Sequence, residues 1–175
     1  MMTICIFDLD DTLVKTDAKI KVYQKETGDL LQSMTPEEFN SYVNLHGHVL
    51  DFEDFNDLQI LLGGKLIEKN VKILKECAQK YPIGMITARS HLMSVLEFIY
   101  EKKLPINEDL VFAVNDEKGG FSGNVANRKK QAFIKLIKKG FKDFIYYDDN
   151  LDNLRAAETL IEEYDIKMKT HHVQD

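Results

Sequence analysis

Ile4-Cys5-Ile6-Phe7-Asp8-Leu9-Asp10-Asp11-Thr12-Leu13 is the stretch whose reading decides the fold. Its first four residues are apolar and partly β-branched, as in a strand buried on both faces, and they give way at once to carboxylates and a hydroxyl. In an open parallel sheet the carboxyl ends of the strands line the ligand crevice, so Asp8 and Asp10 are placed at its mouth, on alternate residues about the strand exit. Taken by itself the stretch also fits a plainer reading, a polar exit in which Asp11 and Thr12 cap a following turn.

The same pattern recurs downstream. Pro82 precedes a second apolar run, Ile83-Gly84-Met85-Ile86, which exits through Thr87-Ala88-Arg89-Ser90. A third, Leu110-Val111-Phe112-Ala113-Val114, leaves through Asn115-Asp116, and a fourth, Phe144-Ile145-Tyr146-Tyr147, through Asp148-Asp149-Asn150. Between them lie amphipathic stretches of helical period. The first, 66–80, carries Ile67, Val71, Leu74 and Ala78 on one face; the second, 91–102, carries Leu92, Val95, Leu96 and Ile99. A third, 128–139, presents Phe133, Leu136 and Ile137, with Arg128, Lys129 and Lys130 crowding its predicted first turn, where cations oppose the helix dipole. That cluster reads either as a solvated basic face or as the source of one functional cation. After a helix bearing Leu154, Ala157, Leu160 and Ile161, a last strand is predicted over 164–169, and His171-His172-Val173 reads as a tail. Alternation of strand and helix predicts an α/β, Rossmann-like, three-layer parallel sheet with right-handed crossovers.

The segment 14–64 breaks this rhythm. Thr35-Pro36-Glu37-Glu38 is a helix start with an N-cap, a first-turn proline and a capping-box glutamate, and a short helix is expected near 52–62, closed by Gly63-Gly64. The expectation is a small helical cap, 14–64, inserted into a core formed by 1–13 and 65–175. His46, His48 and Asp51 within it either touch a ligand or lie in a polar loop; their spacing completes no ligand set.

Composition narrows the class. A chain of 175 residues with 44% hydrophobic residues can bury a core, and no apolar run is long enough to span a membrane. Met1-Met2-Thr3 places no basic region ahead of the first apolar stretch, so no signal peptide is predicted and a cytoplasmic protein is expected. Cys5 and Cys77 read as small buried hydrophobes, too few for a thiolate metal site. A net charge of −6 argues against strong general affinity for nucleic acid.

Asp8, Asp10, Thr87, Asp148 and Asp149 all follow predicted parallel strands and are therefore expected on one edge of the sheet. Carboxylates about 4 Å apart repel by roughly 4 kcal/mol per pair at an effective dielectric near 20. A cation or protonation must relieve this, and oxygen ligands suit Mg²⁺, which completes its shell with water and phosphate oxygens. A phosphorylated small molecule or nucleotide is the partner this chemistry predicts.

Asp8-x-Asp10-x-Thr12, a strand ending at Thr87, a lysine near a helix start, and Asp148-Asp149 together resemble the four ordered motifs of the haloacid dehalogenase (HAD) superfamily of phosphohydrolases. The match runs over most of the chain outside the insertion, which falls where that family places its type-1 caps. The resemblance implies that Asp8 is the nucleophile and becomes an aspartyl-phosphate, and that Asp10 protonates the leaving oxygen and then activates water, its main-chain carbonyl on the metal. It implies phosphate binding by Thr87 and the neighbouring Ala88, and charge stabilisation by Lys129 or Lys130, each of which can be laid on the family pattern. Matching Ala156 and Ala157 to that pattern makes Asp149 the direct metal ligand, Asp148 a neighbouring or water-mediated one, and puts Asn153 where many members have a second acid. The opposite choice puts Asp152 there. An acid at the position of Asp10 resembles the phosphatases, since the similar dehalogenases lack it.

The expected activity is Mg²⁺-dependent phosphomonoester hydrolysis. Its rivals are a nucleotidase or polynucleotide phosphatase, a phospho-switch, and a binding module without catalysis. In a phospho-switch of the receiver type the acceptor belongs on a middle strand and Thr after it, an order this chain does not follow.

Overall fold

The structure, a computed structural model, describes residues 2–174. In chain order the elements are β1 (Met2–Phe7), β2 (Val14–Lys15), β3 (Ile20–Gln24), β4 (Leu30–Met34), α1 (Pro36–Asn40), β5 (His48–Asp51), α2 (Leu58–Leu62), β6 (Lys65–Leu66) and α3 (Glu68–Ala78). They continue with β7 (Ile83–Thr87), α4 (Leu92–Glu101), β8 (Val111–Ala113), α5 (Val125–Lys138), β9 (Phe141–Asp148), α6 (Leu151–Glu158), α7 (Leu160–Tyr164) and β10 (Lys167–His172).

Five strands form the central sheet in the order β10-β9-β1-β7-β8, every neighbouring pair parallel. The chain leaves β1 toward β7 and later returns on its other side as β9, so the strand order reverses at β1. Open α/β sheets hold their ligands outside such a point. Register brings the motifs level: Phe7 faces Met85 of β7 and Tyr147 of β9, so the residues just beyond, Asp8 and Asp148, emerge side by side.

Alternation along β1 divides the core. Ile4 and Ile6 pack with Phe133, Leu136, Leu154 and Ala157 of α5 and α6, whereas Cys5 and Phe7 pack with Val71, Leu74, Val95 and Phe98 of α3 and α4. Both faces of the strand are thus covered, which explains its unbroken apolar composition. Gly84 is required by close approach: a Cβ there would lie 2.7 Å from the Leu110 carbonyl and 2.8 Å from Ile6 Cδ1. Gly84→Ala should therefore lower the stability by about 1–3 kcal/mol through overpacking, read as a fall in the urea midpoint. A midpoint equal to wild type would show that β7 and the Leu110 loop can separate freely.

The intervening segment departs from the expected helical cap. Its centre is a three-stranded antiparallel sheet, β4-β3-β5, with Ile20, Val22 and Met34 buried beneath it. Helices are confined to two single turns, α1 and α2, and a 3₁₀ turn at Glu53–Asn56. The reason is visible in Ile20-Lys21-Val22-Tyr23, where apolar and longer polar residues alternate with period two and the branched residues favour extended backbone. Gly28, at φ +73°, turns β3 into β4. The expected capping box is present: Thr35 Oγ1 accepts from the Glu38 amide at 3.1 Å and Glu38 Oε2 accepts from the Thr35 amide at 2.8 Å. β2 pairs with β6 at the base of the segment, joining its two ends.

Two further boundaries move. α5 begins at Val125 under an Asn124 N-cap, so Arg128, Lys129 and Lys130 lie beyond its first turn and do not oppose the dipole there. His171 and His172, expected in a tail, are paired in β10 opposite Tyr147 and Asp148, with the His171 ring stacked on Tyr147. Cys5 is buried, Cys77 half-buried, and both are free thiols. Among the described residues no helix is long and apolar enough to cross a membrane.

Candidate active site

Beyond β1 the Asp8 amide still donates to the Tyr147 carbonyl at 3.0 Å, which prolongs the ladder by one residue. The chain then folds back on itself. The Leu9 carbonyl accepts from the amides of Leu13, at 2.8 Å, and Val14, at 3.2 Å, while Asp11 takes a left-handed conformation at φ 60°. This turn returns Thr12 beneath Asp8, where its Oγ1 donates to Asp8 Oδ2 at 3.1 Å; Asn70 Nδ2 of α3 holds the Thr12 carbonyl at 2.8 Å. The Thr12 side chain thus fixes the first carboxylate.

Lys129 closes the site from α5. It is 2% exposed, and its Nζ donates to Asp8 Oδ1 at 2.8 Å and to Asp148 Oδ2 at 2.7 Å. Burial alone would pull its pKa down, but attraction to Asp148 and Asp8 outweighs it and leaves the ammonium raised and charged. Lys130, one residue on, points away and pairs with Glu163 at the surface, 2.7 Å away. The two lysines left open by the sequence are separated by helix geometry, since successive side chains are about 100° apart around an α-helix.

Asp148 is crowded with donors. Besides Lys129 it accepts from the Tyr146 hydroxyl, from the Asn150 amide at 2.8 Å and from Asn153 Nδ2 at 3.2 Å to each oxygen. Tyr146 is held for this by the core, its ring edge-on to Phe133 with centroids 4.8 Å apart. Asp8, Asp148 and Asp149 offer oxygens all within 4.8 Å of one another. Burial first, with repulsion from Asp148, pushes the carboxyl of Asp149 up; burial also raises that of Asp8 well above the ordinary range, against the opposing pull of Lys129. Burial, then Asp149 and Asp10, raise Asp11 to about 6.

Thr87 is buried at the end of β7, and its Oγ1 accepts from the Arg89 amide at 3.3 Å, leaving its own O–H free to donate. Ala88 follows at the cleft wall. Asp10 does not join the other three acids: both of its oxygens accept from Arg89. Asp152 is exposed, while Asn153 is buried against Asp148, so the two candidates for the second-acid position have opposite surroundings. His46 and His48 do not line the cleft among its described residues; His48 Nδ1 meets the Tyr42 hydroxyl at 2.9 Å within the insertion. Sequence reading did not single out Arg89, Tyr146 or His172, whose Nε2 lies 2.9 Å from the Asp149 carbonyl. Only their positions at strand ends beside the acids marked them.

The cleft above these groups holds about 990 Å³ and is walled on the insertion side by Phe39, Phe52 and Phe55. Oxygen donors dominate its floor. With all three acids ionised, a single ammonium would leave an excess of two negative charges, a balance that a hard divalent cation such as Mg²⁺ would offset.

This arrangement, a five-stranded parallel sheet with the acids at its switch point, is the haloacid dehalogenase-like fold. A hydrolase from Streptococcus pneumoniae, described as a haloacid dehalogenase-like family protein, superimposes with a TM-score of 0.52 over 97% of this chain and 94% of its own, at 15% identity. No family model matches the sequence, and no curated protein matches it either.

Proposed function

We propose that the protein is a Mg²⁺-dependent phosphomonoester hydrolase of the HAD type, acting through an aspartyl-phosphate on Asp8. The observation that carries the reading is the buried Lys129, shared between Asp8 and Asp148 at the carboxyl end of β1. A lysine placed there holds the nucleophile still and supplies positive charge where a phosphoryl group would sit, in a reaction whose catalysis is mostly positioning and electrostatics. The Asp8 carboxylate attacks phosphorus, the bond from phosphorus to the leaving oxygen breaks, and Asp10 gives that oxygen its proton. Water then attacks the phosphorus of the aspartyl ester, Asp10 takes a proton from it, and the Asp8–phosphorus bond breaks. Thr87 donates its hydroxyl to a phosphate oxygen beside Ala88.

Asp8 and Asp149 would hold Mg²⁺ with the Asp10 main-chain carbonyl, and the ion would offset phosphate charge during attack. Asp148 already accepts from four protein groups, and it therefore orders the site and touches the metal only through water. Asn153 in place of an acid keeps the hydrogen bond while removing one charge. The segment 14–64 acts as the cap over a core of 1–13 and 65–175.

The aromatic wall favours one narrower reading, a nucleotidase. Phe52 is 44% exposed and stands edge-on to Phe39 with centroids 5.5 Å apart, a surface on which a planar base can rest. Phosphate release should be measured over nucleoside monophosphates, sugar phosphates and phosphorylated oligonucleotides, with Mg²⁺ and with a chelator. The expected result is metal-dependent turnover that is greatest on nucleoside monophosphates. Turnover confined to sugar phosphates would refute the narrower reading. A single stoichiometric phosphorylation, or none, would refute hydrolysis and return the phospho-switch or the binding module.

A further inference from the structure

Arg89 has no part in the reaction proposed for Asp8, yet its side chain makes one more hydrogen bond at the cleft than that of Lys129. Arg89 is 3% exposed, and its guanidinium donates three hydrogen bonds to two partners. Nε reaches Asp10 Oδ2 at 2.8 Å and Nη2 reaches Asp10 Oδ1 at 2.7 Å, a two-pronged grip, while Nη1 donates to the Phe55 main-chain carbonyl at 2.6 Å. Phe55 belongs to the 3₁₀ turn Glu53–Asn56 of the insertion, and its ring lies 5.5 Å from the guanidinium carbon. The adjoining residues hold the same turn: Ser90 Oγ donates to Asn56 Oδ1 at 2.6 Å, and Ser94 Oγ to the Asn56 carbonyl at 3.5 Å.

We propose that Arg89 is a positioning residue that orients the Asp10 carboxylate for proton transfer while the turn Glu53–Asn56 is docked on the core, and thereby makes leaving-group protonation conditional on the cap. The inference rests on Asp10 being the acid named above.

Three features support it. Two parallel N–H bonds fix the plane of a carboxylate as well as its place, and they occupy one lone pair on each oxygen, leaving another on each for a travelling proton. Asp10 needs such fixing, because among the acids at the mouth it is held neither by Lys129 nor by the donors around Asp148. The third N–H finds its acceptor in the insertion, so withdrawal of the turn removes one of the contacts that fix the guanidinium and loosens the whole grip. A lysine cannot substitute, since a single ammonium on a flexible stem lacks the planar fork.

The test uses two probes. p-Nitrophenyl phosphate expels a phenolate that needs no proton, whereas glycerol 2-phosphate expels an alkoxide that does. In Arg89→Lys, kcat/KM on glycerol 2-phosphate should fall about 10²-fold, the lower range of general acid catalysis, while kcat/KM on p-nitrophenyl phosphate changes less than about fivefold. Asp10 also activates water in the second step, so the variant should release a burst of nitrophenolate, about one per site, before a slow steady state. Asn56→Ala, at an exposed residue away from the acids, should show the same selectivity at about a tenth of the size, and amides of residues 53–56 should exchange hydrogen faster in both variants. Equal losses on both probes without a burst, or no loss on glycerol 2-phosphate, would overturn the proposal. Wild-type protein inert on both probes and on nucleoside monophosphates would refute the hydrolase reading, and with it the role of Asp10. Unchanged exchange at 53–56 in Arg89→Lys, beside an active wild type, would refute only the grip of Arg89 on the turn.

Discussion

Lys129→Met should destabilise the fold by about 3–5 kcal/mol in metal-free urea unfolding and abolish turnover, because it removes one partner from a buried ion network and leaves the others uncompensated. The substitution removes two ion pairs at once and leaves Asp8, Asp148 and Asp149 facing one another without their ammonium. Millimolar Mg²⁺ should restore part of the lost stability, since a ligand that binds only the folded state adds RT ln(1 + [L]/Kd). Lys130→Met is the control: its surface pair with Glu163 belongs to a class worth about 0–1 kcal/mol, and activity should not change. A Lys129→Met midpoint within experimental error of wild type would mean that the acids are not coupled through this lysine.

Asp8→Asn should reduce phosphate release by a factor on the order of 10⁴ or more, as removal of a covalent nucleophile does, with no phosphorylated protein trapped on rapid acid quench. The same variant should unfold no earlier than wild type in the absence of metal. Burial and the neighbouring acids penalise the Asp8 anion more than Lys129 favours it, and a neutral amide of the same shape escapes that penalty. Lost activity together with retained or raised stability separates a catalytic carboxylate from a structural one. Residual turnover near the wild-type level would move the nucleophile elsewhere and end the aspartyl-phosphate reading.

The central sheet was legible because burial on both faces leaves an unmistakable record. Ile4-Cys5-Ile6-Phe7 and Ile83-Gly84-Met85-Ile86 admit little besides buried strands, and carboxylates or a threonine at their ends follow from the direction in which a parallel sheet opens. The insertion was less legible. β4, Leu30-Leu31-Gln32-Ser33-Met34, buries only Met34, so no period marks it as a strand, and only its ladder to β3 defines it. The start of α5 was misplaced by three residues because Asn124 caps the helix through a local hydrogen bond that competes with several polar neighbours of equal promise.

Residue type and order determined the sheet, the expectation of acids at one edge and the need for a cation or protonation among them, since these follow from apolar periodicity and from charge repulsion. Tertiary structure alone chose Lys129 over Lys130, turned Asp10 toward Arg89 and saturated Asp148 with donors. Those choices depend on which side of a helix faces the sheet and on how closely the insertion approaches the core, distances that no spacing along the chain specifies.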